Sequence, residues 1–299
     1  MSEIEAREFK LPATDGFELA ATLYRSPELP AGAPAVLINS ATGVKRGYYD
    51  KYARHLADNG FVTVAFDYRG IGGSRPPSLR GFDARMADWG EKDSAGAIEW
   101  LRAEHRPRRL LLVGHSVGGQ LFGLTPNNHR VDAMLAVGAQ SGYWGKWKGP
   151  RKIFMWMLWH ALMPGATRLF SYFPSKKLGL SEDLPAGVAR QWAHWGRNPS
   201  YIVDEAGQPI REHFASYTGP IRSYSFSDDI HAPRAAVEDL IGCYTSAPIE
   251  WNHRTPQELG VPKIGHFGFF REQFRESLWS ETTGWLKQQA EQGARAAAP

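Results

Sequence analysis

The chain of 299 residues contains one cysteine, Cys243, so an intramolecular disulfide is excluded. With no C-x-x-C partner the thiol reads as an ordinary buried side chain, and this usage fits a reducing compartment. Long apolar runs are also missing. The most apolar stretch, Ile153 to Met163, is interrupted by His160 and falls far short of the ~20 residues that span a bilayer. Stable membrane insertion is therefore not expected, and this run is expected to form a buried or pocket-lining helix. Met1 to Glu8 is charged and lacks the apolar core of a signal peptide, which makes the cytoplasm the expected location. The 35 Lys and Arg against 31 Asp and Glu leave a net charge of only +4. With no dense basic run or aromatic-basic repeat, nucleic acid is not an expected partner. H-E-x-x-H and clustered Cys and His are absent, so no metal is expected. Gly70, Gly72 and Gly73 cluster after a strand but miss the G-x-G-x-x-G spacing, and Pro76-Pro77 stand where a helix would start. No nucleotide cofactor is assigned. There is no internal repeat, and no feature of the sequence sets an oligomeric state.

What is present is an alternation of strands and helices. Glu8 to Tyr24 reads as an antiparallel edge hairpin around Thr14-Asp15-Gly16. Ala35–Ile38 is a strand, Tyr49, Tyr52, Ala53, Leu56 and Ala57 recur at helical spacing, and Phe61–Phe66 is the next strand. Strand, helix, strand with short connections means a parallel sheet. A helix from about Asp93 to Glu104 precedes the strand at Leu110, and Ala133–Val137 is a further strand. From Ser141 to about Gly219 the alternation stops, and six of the eleven tryptophans fall there. That concentration marks an inserted helical segment, 141–219, placed as a cap over a core made of 1–140 and 220–299. Most of its aromatics should pack in the core, with a minority lining a pocket. Alternation resumes with the strand Ile221–Phe226, a helix from about Arg234 to Ile241, the strand Ile249–Asn252, and a closing helix carrying Phe274, Leu278 and Trp285. Gly293 to Pro299 reads as a frayed tail. The class is α/β, with a mostly parallel central sheet and flanking helices.

Gly114-His115-Ser116-Val117-Gly118 follows the apolar strand Leu110–Val113 and matches G-x-S-x-G. A strand turning sharply into a helix strains the serine, and glycines two residues either side remove the resulting collisions. The serine hydroxyl would then sit over a helix N-terminus that favours developing negative charge. A serine nucleophile needs a base, and the base needs an anion to hold its tautomer. In a parallel sheet such groups collect at the carboxyl ends of strands. Ser116, then Asp228 or Asp229, then His266 in a Gly-flanked loop, meet that description in order. The six histidines 55, 105, 129, 160, 194 and 213 lie on helices, loop ends or the insert. His231 and His253 lack the flexible Gly-His-Phe-Gly setting of His266, and His115 is expected to point away from Ser116.

These motifs resemble the α/β-hydrolase-fold serine hydrolases, and the chain is most similar to esterase-like and lipase-like members with a helical cap, from Ala35 to Trp285. The resemblance implies catalysis by Ser116, Asp229 and His266. Asp229 is preferred because the family's acid loop commonly reads Asp, three residues, Pro, and Pro233 fits; Asp228 is then a structural carboxylate. One oxyanion N–H should come from Val117 and a second from the loop after the Ala35 strand. Here the chain departs from the family pattern, with Ser40-Ala41-Thr42-Gly43 where many relatives carry His-Gly. Alignment on the Tyr49 helix puts Thr42 first as donor and Ala41 second. The loop Asp67–Ser74 also resembles a family loop and reads as structural, with Arg69 paired to a carboxylate. The implied reaction is hydrolysis of a carboxylic ester with a small to medium apolar group through an acyl-enzyme on Ser116. The substrate would be a small molecule and no cofactor is implied. The same machinery could serve a thioester, an amide, a peptide N-terminus or a carbon-carbon bond, and a binding protein could keep the fold without catalysis.

Overall fold

In the computed structural model, which describes residues 3–179 and 181–295, β1 (Glu5–Pro12) and β2 (Glu18–Arg25) form the N-terminal hairpin. β1 is the edge of an eight-stranded sheet and β2 joins it antiparallel to β4 (Val62–Phe66). β3 (Ala35–Asn39), β4, β5 (Leu110–His115) and β6 (Ala133–Val137) are buried at every position. Strands apolar on both faces need cover on both sides, which parallel strands with crossover helices provide. β7 (Tyr172–Phe173) and β8 (Leu184–Pro185) form a separate small ribbon. β9 (Ile221–Phe226) and β10 (Ile249–Arg254) complete the main sheet, whose order is β1-β2-β4-β3-β5-β6-β9-β10 with every pair from β4 onward parallel.

Helix α1 (Asp50–Asp58) follows β3. The next helix starts earlier than its apolar spacing suggests: α2 (Met86–Asp88), a π-helical turn at Trp89–Ser94 and α3 (Ala95–Glu104) run on without a break. The start signal is Asp88, whose carboxylate accepts the Arg85 N–H at 2.7 Å in the manner of a capping box. The short α4 (Val117–Gln120) follows β5. Between β6 and β9, α5 (Gly149–Met157), a π-helical turn (Leu158–Leu162) and α6 (Met163–Phe170) form one continuous run, followed by α7 (Ala186–Arg197) and α8 (Glu212–Ser216). Among the described residues no strand of this insert joins the main sheet. α9 (Arg234–Ile241) precedes β10 and α10 (Gly265–Gly268) follows it; α11 (Ser280–Arg295) closes the described chain. The expected tail is thus helical as far as Arg295, and its residues 296–299 lie outside the described residues.

The sheet separates two cores, one under α1 and α11, the other under α3 and α9. Trp159 and Trp195 of the insert belong to the second, together with Leu112 and Met134 of the sheet. The apolar run Ile153–Met163 differs from expectation. Trp159 and Met163 are buried, but Ile153, Phe154, Trp156, Met157 and Leu162 face outward. Apolar character predicts burial only when the chain itself supplies a covering partner, and here it covers one side of the helix. Among the described residues no helix is long and apolar enough to cross a membrane.

The Asp67–Ser74 loop is fixed by Arg69, which carries two carboxylates rather than one. Its Nε donates to Asp93 at 2.7 Å and its terminal nitrogens donate to Asp15 at 2.8 and 2.9 Å. Asp93 is fully buried and burial raises its pKa to about 7 even beside Arg69, so losing the cation leaves a buried carboxyl with no ion-pair partner. Arg69→Met should cost about 3–5 kcal/mol in urea unfolding, and adding Asp93→Asn should recover part of the loss. A double variant no more stable than the single one would contradict this account.

Candidate active site

Parallel register brings the strand ends level. Asn39 pairs with Gly114, His115 with Val137, and Val137 with Tyr224. The loops that leave β3, β5 and β9 therefore open on one edge of the sheet, carrying Ala41-Thr42, Ser116 and Asp228-Asp229. β10 ends beside Phe226, and His266 follows in α10, a helical turn instead of the expected loop.

Ser116 has φ 52° and ψ −117°, a backbone conformation costly for any residue with a side chain. Its N–H donates to Val137 O at 2.9 Å, and its carbonyl accepts Gly119 N at 3.0 Å and Gln120 N at 3.2 Å. The turn also needs glycine beside it: a Cβ on Gly118 would collide with the Asn39 carbonyl, and one on Gly114 would lie 2.6 Å from Gly119 Cα. Ser116 is 7% exposed, and among the described residues its Oγ has no hydrogen-bond partner. Catalytic hydrogen bonds are often made only with substrate bound.

The Val117 N–H opens α4, where a first-turn amide has no intrahelical acceptor, and no other group takes it among the described residues. Thr42 N–H is equally open among the described residues. Ala41 N–H instead donates to Tyr49 Oη at 2.8 Å, which leaves Thr42 as the available amide of the two.

His266 Nδ1 lies 2.7 Å from Asp229 Oδ2. Asp229 Oδ1 accepts the amides of His231 at 2.8 Å and Ala232 at 3.0 Å. Burial alone would raise the Asp229 pKa, but His266 and these two amides outweigh it and hold the carboxyl below its ordinary value. Asp228 turns elsewhere and accepts the amides of Ile264 at 2.8 Å and Gly265 at 3.0 Å, which fixes the approach to α10. His231 lies 5.3 Å from His266 between ring centroids; burial, then the neighbouring His266, lower its pKa. His253 bonds Ser225 at 2.8 Å, on β9. Among the described residues no cluster of His, Cys, Asp or Glu could hold a metal ion.

Sequence reasoning overlooked a buried relay. Tyr49 Oη, which accepts Ala41 N–H, donates to His115 Nδ1 at 2.8 Å, and His115 Nε2 donates to the His266 carbonyl at 3.0 Å. Burial, reinforced by His266, drops the His115 pKa to about 3, so the imidazole is neutral and its tautomer is set by these two bonds. The available signal was a histidine directly before Ser116; Tyr49 read as core because of its helical spacing.

Two outcomes follow. Tyr49→Phe unpairs the buried His115 Nδ1 and should cost about 1–3 kcal/mol in urea unfolding; an unchanged midpoint would remove the relay's structural role. Because its pKa is depressed, Asp229 stabilises the fold above the ordinary carboxyl value of 3.8, and this contribution fades as pH falls through the folded-state pKa. The stability gap between the parent and Asp229→Asn should thus narrow on acidification. A gap that widens would contradict the assigned direction.

The family described as serine aminopeptidase, S33, matches residues 33–176. No curated protein matches the chain. Among solved structures, the chain is similar to an esterase from Exiguobacterium antarcticum at 19% identity, with 94% of this chain and 100% of that one covered and a TM-score of 0.62. It is also similar to Est1E of Butyrivibrio proteoclasticus, solved with ferulic acid bound, at 12% identity, 94% and 98% coverage and a TM-score of 0.63. A hypothetical protein from Pseudomonas aeruginosa matches at 16% identity, 97% and 95% coverage and a TM-score of 0.64. With the sheet order, the strained serine turn after β5 and these likenesses in hand, the chain is a member of the α/β-hydrolase fold.

Proposed function

We propose that the protein is a serine hydrolase that cleaves a carboxylic ester with a small to medium apolar group. The observation that carries this reading is the 2.7 Å Asp229–His266 pair on the same sheet edge as the strained turn at Ser116. In the proposed reaction Ser116 Oγ attacks the ester carbonyl carbon while its proton passes to His266 Nε2. Asp229 holds the imidazole tautomer and stabilises the imidazolium. The N–H groups of Val117 and Thr42 receive the oxyanion, each worth about 3 kcal/mol by removal. His266 then protonates the leaving alcohol oxygen, and the acyl group remains on Ser116. A water deprotonated by His266 attacks the acyl carbon and releases the acid.

The insert 141–219 is read as the cap over this site, with 1–140 and 220–299 as the core. Three hydrogen bonds support that placement, one to each site loop. Glu182 N donates to Gly43 O at 2.9 Å, Tyr201 Oη to Gln120 Oε1 at 2.8 Å, and Trp147 Nε1 to Ile230 O at 3.0 Å. A cleft of about 160 Å³ beside His266 is lined by Ile230 and Phe267, with Lys263 and Arg271 as its cations. Its one carboxylate, Asp228, is already occupied by two backbone amides.

Incubation with a fluorophosphonate, followed by peptide mapping, should find a single adduct on Ser116. Folded protein that stays unlabelled there would overturn the reading. Ser116→Ala should abolish turnover of short acyl esters, and Asp229→Asn should lower kcat far more than Asp228→Asn.

A further inference from the structure

Charge and apolar exposure are concentrated on one part of the surface. Residues 133–181 contain no Asp or Glu but seven Lys and Arg, whereas the other 250 residues carry 28 Lys and Arg against 31 Asp and Glu. Two of the seven cations are neutralised, Lys146 by Asp239 and Lys176 by Glu182. Lys148, Arg151, Lys152, Arg168 and Lys177 have no carboxylate partner among the described residues. Three of these five sit at the start of α5, whose first turn lacks any acidic residue. The helix dipole disfavours cations at that position, so an external anion would relieve the arrangement.

The same segment holds seven of the eleven exposed large apolar side chains among the described residues, with Ile153 at 63% and Leu169 at 75% exposure. Three more, Tyr48, Ile230 and Phe267, surround His266. Trp147 joins the two groups, its Nε1 donating to the Ile230 carbonyl at 3.0 Å. The cations are interleaved with the apolar side chains: Lys152 Nζ lies 5.2 Å from the Trp144 ring centre and Lys177 Nζ 5.4 Å from that of Phe170. Lysine is depleted at protein–protein interfaces. Lysine and arginine among Trp, Phe and Leu on an exposed helix is the composition of a surface that lies in the headgroup region of a bilayer.

We propose that the outer face of α5 and α6 docks peripherally on an anionic lipid bilayer, with the apolar side chains in the headgroup boundary and the five free cations on the lipid charges. This docking does not depend on the catalytic role of Ser116. It would set the mouth of the candidate site against the membrane without any helix crossing it.

The test is co-sedimentation of the full chain with sucrose-loaded vesicles of phosphatidylcholine, alone or mixed with phosphatidylserine. Binding is expected on the mixed vesicles, much weaker on phosphatidylcholine, and falling with added salt. Removing two cations with Lys148→Gln and Arg168→Gln should lower the partition coefficient roughly thirtyfold. Phe154→Ser should weaken binding on both vesicle types. Both variants change exposed side chains, and an unchanged circular dichroism spectrum and melting temperature verify their fold. Ser116→Ala should bind like the parent. No binding to the mixed vesicles, or equal binding to both types, overturns the proposal. So does sedimentation equilibrium showing a stable dimer that Ile153→Glu disperses, because a second copy would then cover this face.

Discussion

The backbone at Ser116 is held where a residue with a side chain loses roughly 1–3 kcal/mol, and much of the surrounding structure acts to hold it there. The strain persists because β3 and β6 flank β5 in register and bond both sides of the turn. α4 packs so closely on the end of β3 that only glycine fits at position 118. An edge strand could not supply this restraint. Four strands on one side, three on the other and parallel neighbours on both give the turn a rigid frame, and the loops from the adjacent strands open on the same edge of the sheet.

The polar groups around that turn are ordered by the same logic of buried satisfaction. Three titratable groups near the site have definite partners: Asp229 has His266 and two amides, Asp228 has two amides, and His115 has Tyr49 and the His266 carbonyl. The relay from Ala41 through Tyr49 and His115 to His266 ties the loop after β3 to the turn after β10, which are far apart in sequence. It also consumes the Ala41 amide, which leaves that of Thr42 as the open one of the two. The Thr42 side chain adds, on the same loop, a buried hydroxyl with no partner among the described residues.

Much of this was legible in the sequence. The fully apolar strands, the Gly-x-Ser-x-Gly turn and the order serine, acid, histidine depend on local pattern and on the level ends of parallel strands, and both survive folding. Pattern served less well where tertiary contact decides. The helix at Met86 begins with a cap formed by Asp88, a signal outside the apolar periodicity. Arg69 takes two carboxylates because the β1–β2 turn folds back beside it, and Tyr49 reads as core until its hydroxyl is seen. The Ile153–Met163 run misled for another reason. Apolar character reports a preference for leaving water, not the identity of what covers the surface.

The three hydrogen bonds from the insert to the site loops, and the tryptophans it shares with the sheet core, bear on how the molecule comes apart. A module with a separate core could melt or detach while the sheet stayed folded. Here Trp159 and Trp195 belong to the same buried cluster as Leu112 and Met134, so the insert has no core separate from that of the sheet. Elements that share one core tend to open together. Substitutions on the insert's outward surface are then the ones that leave the packing beneath undisturbed.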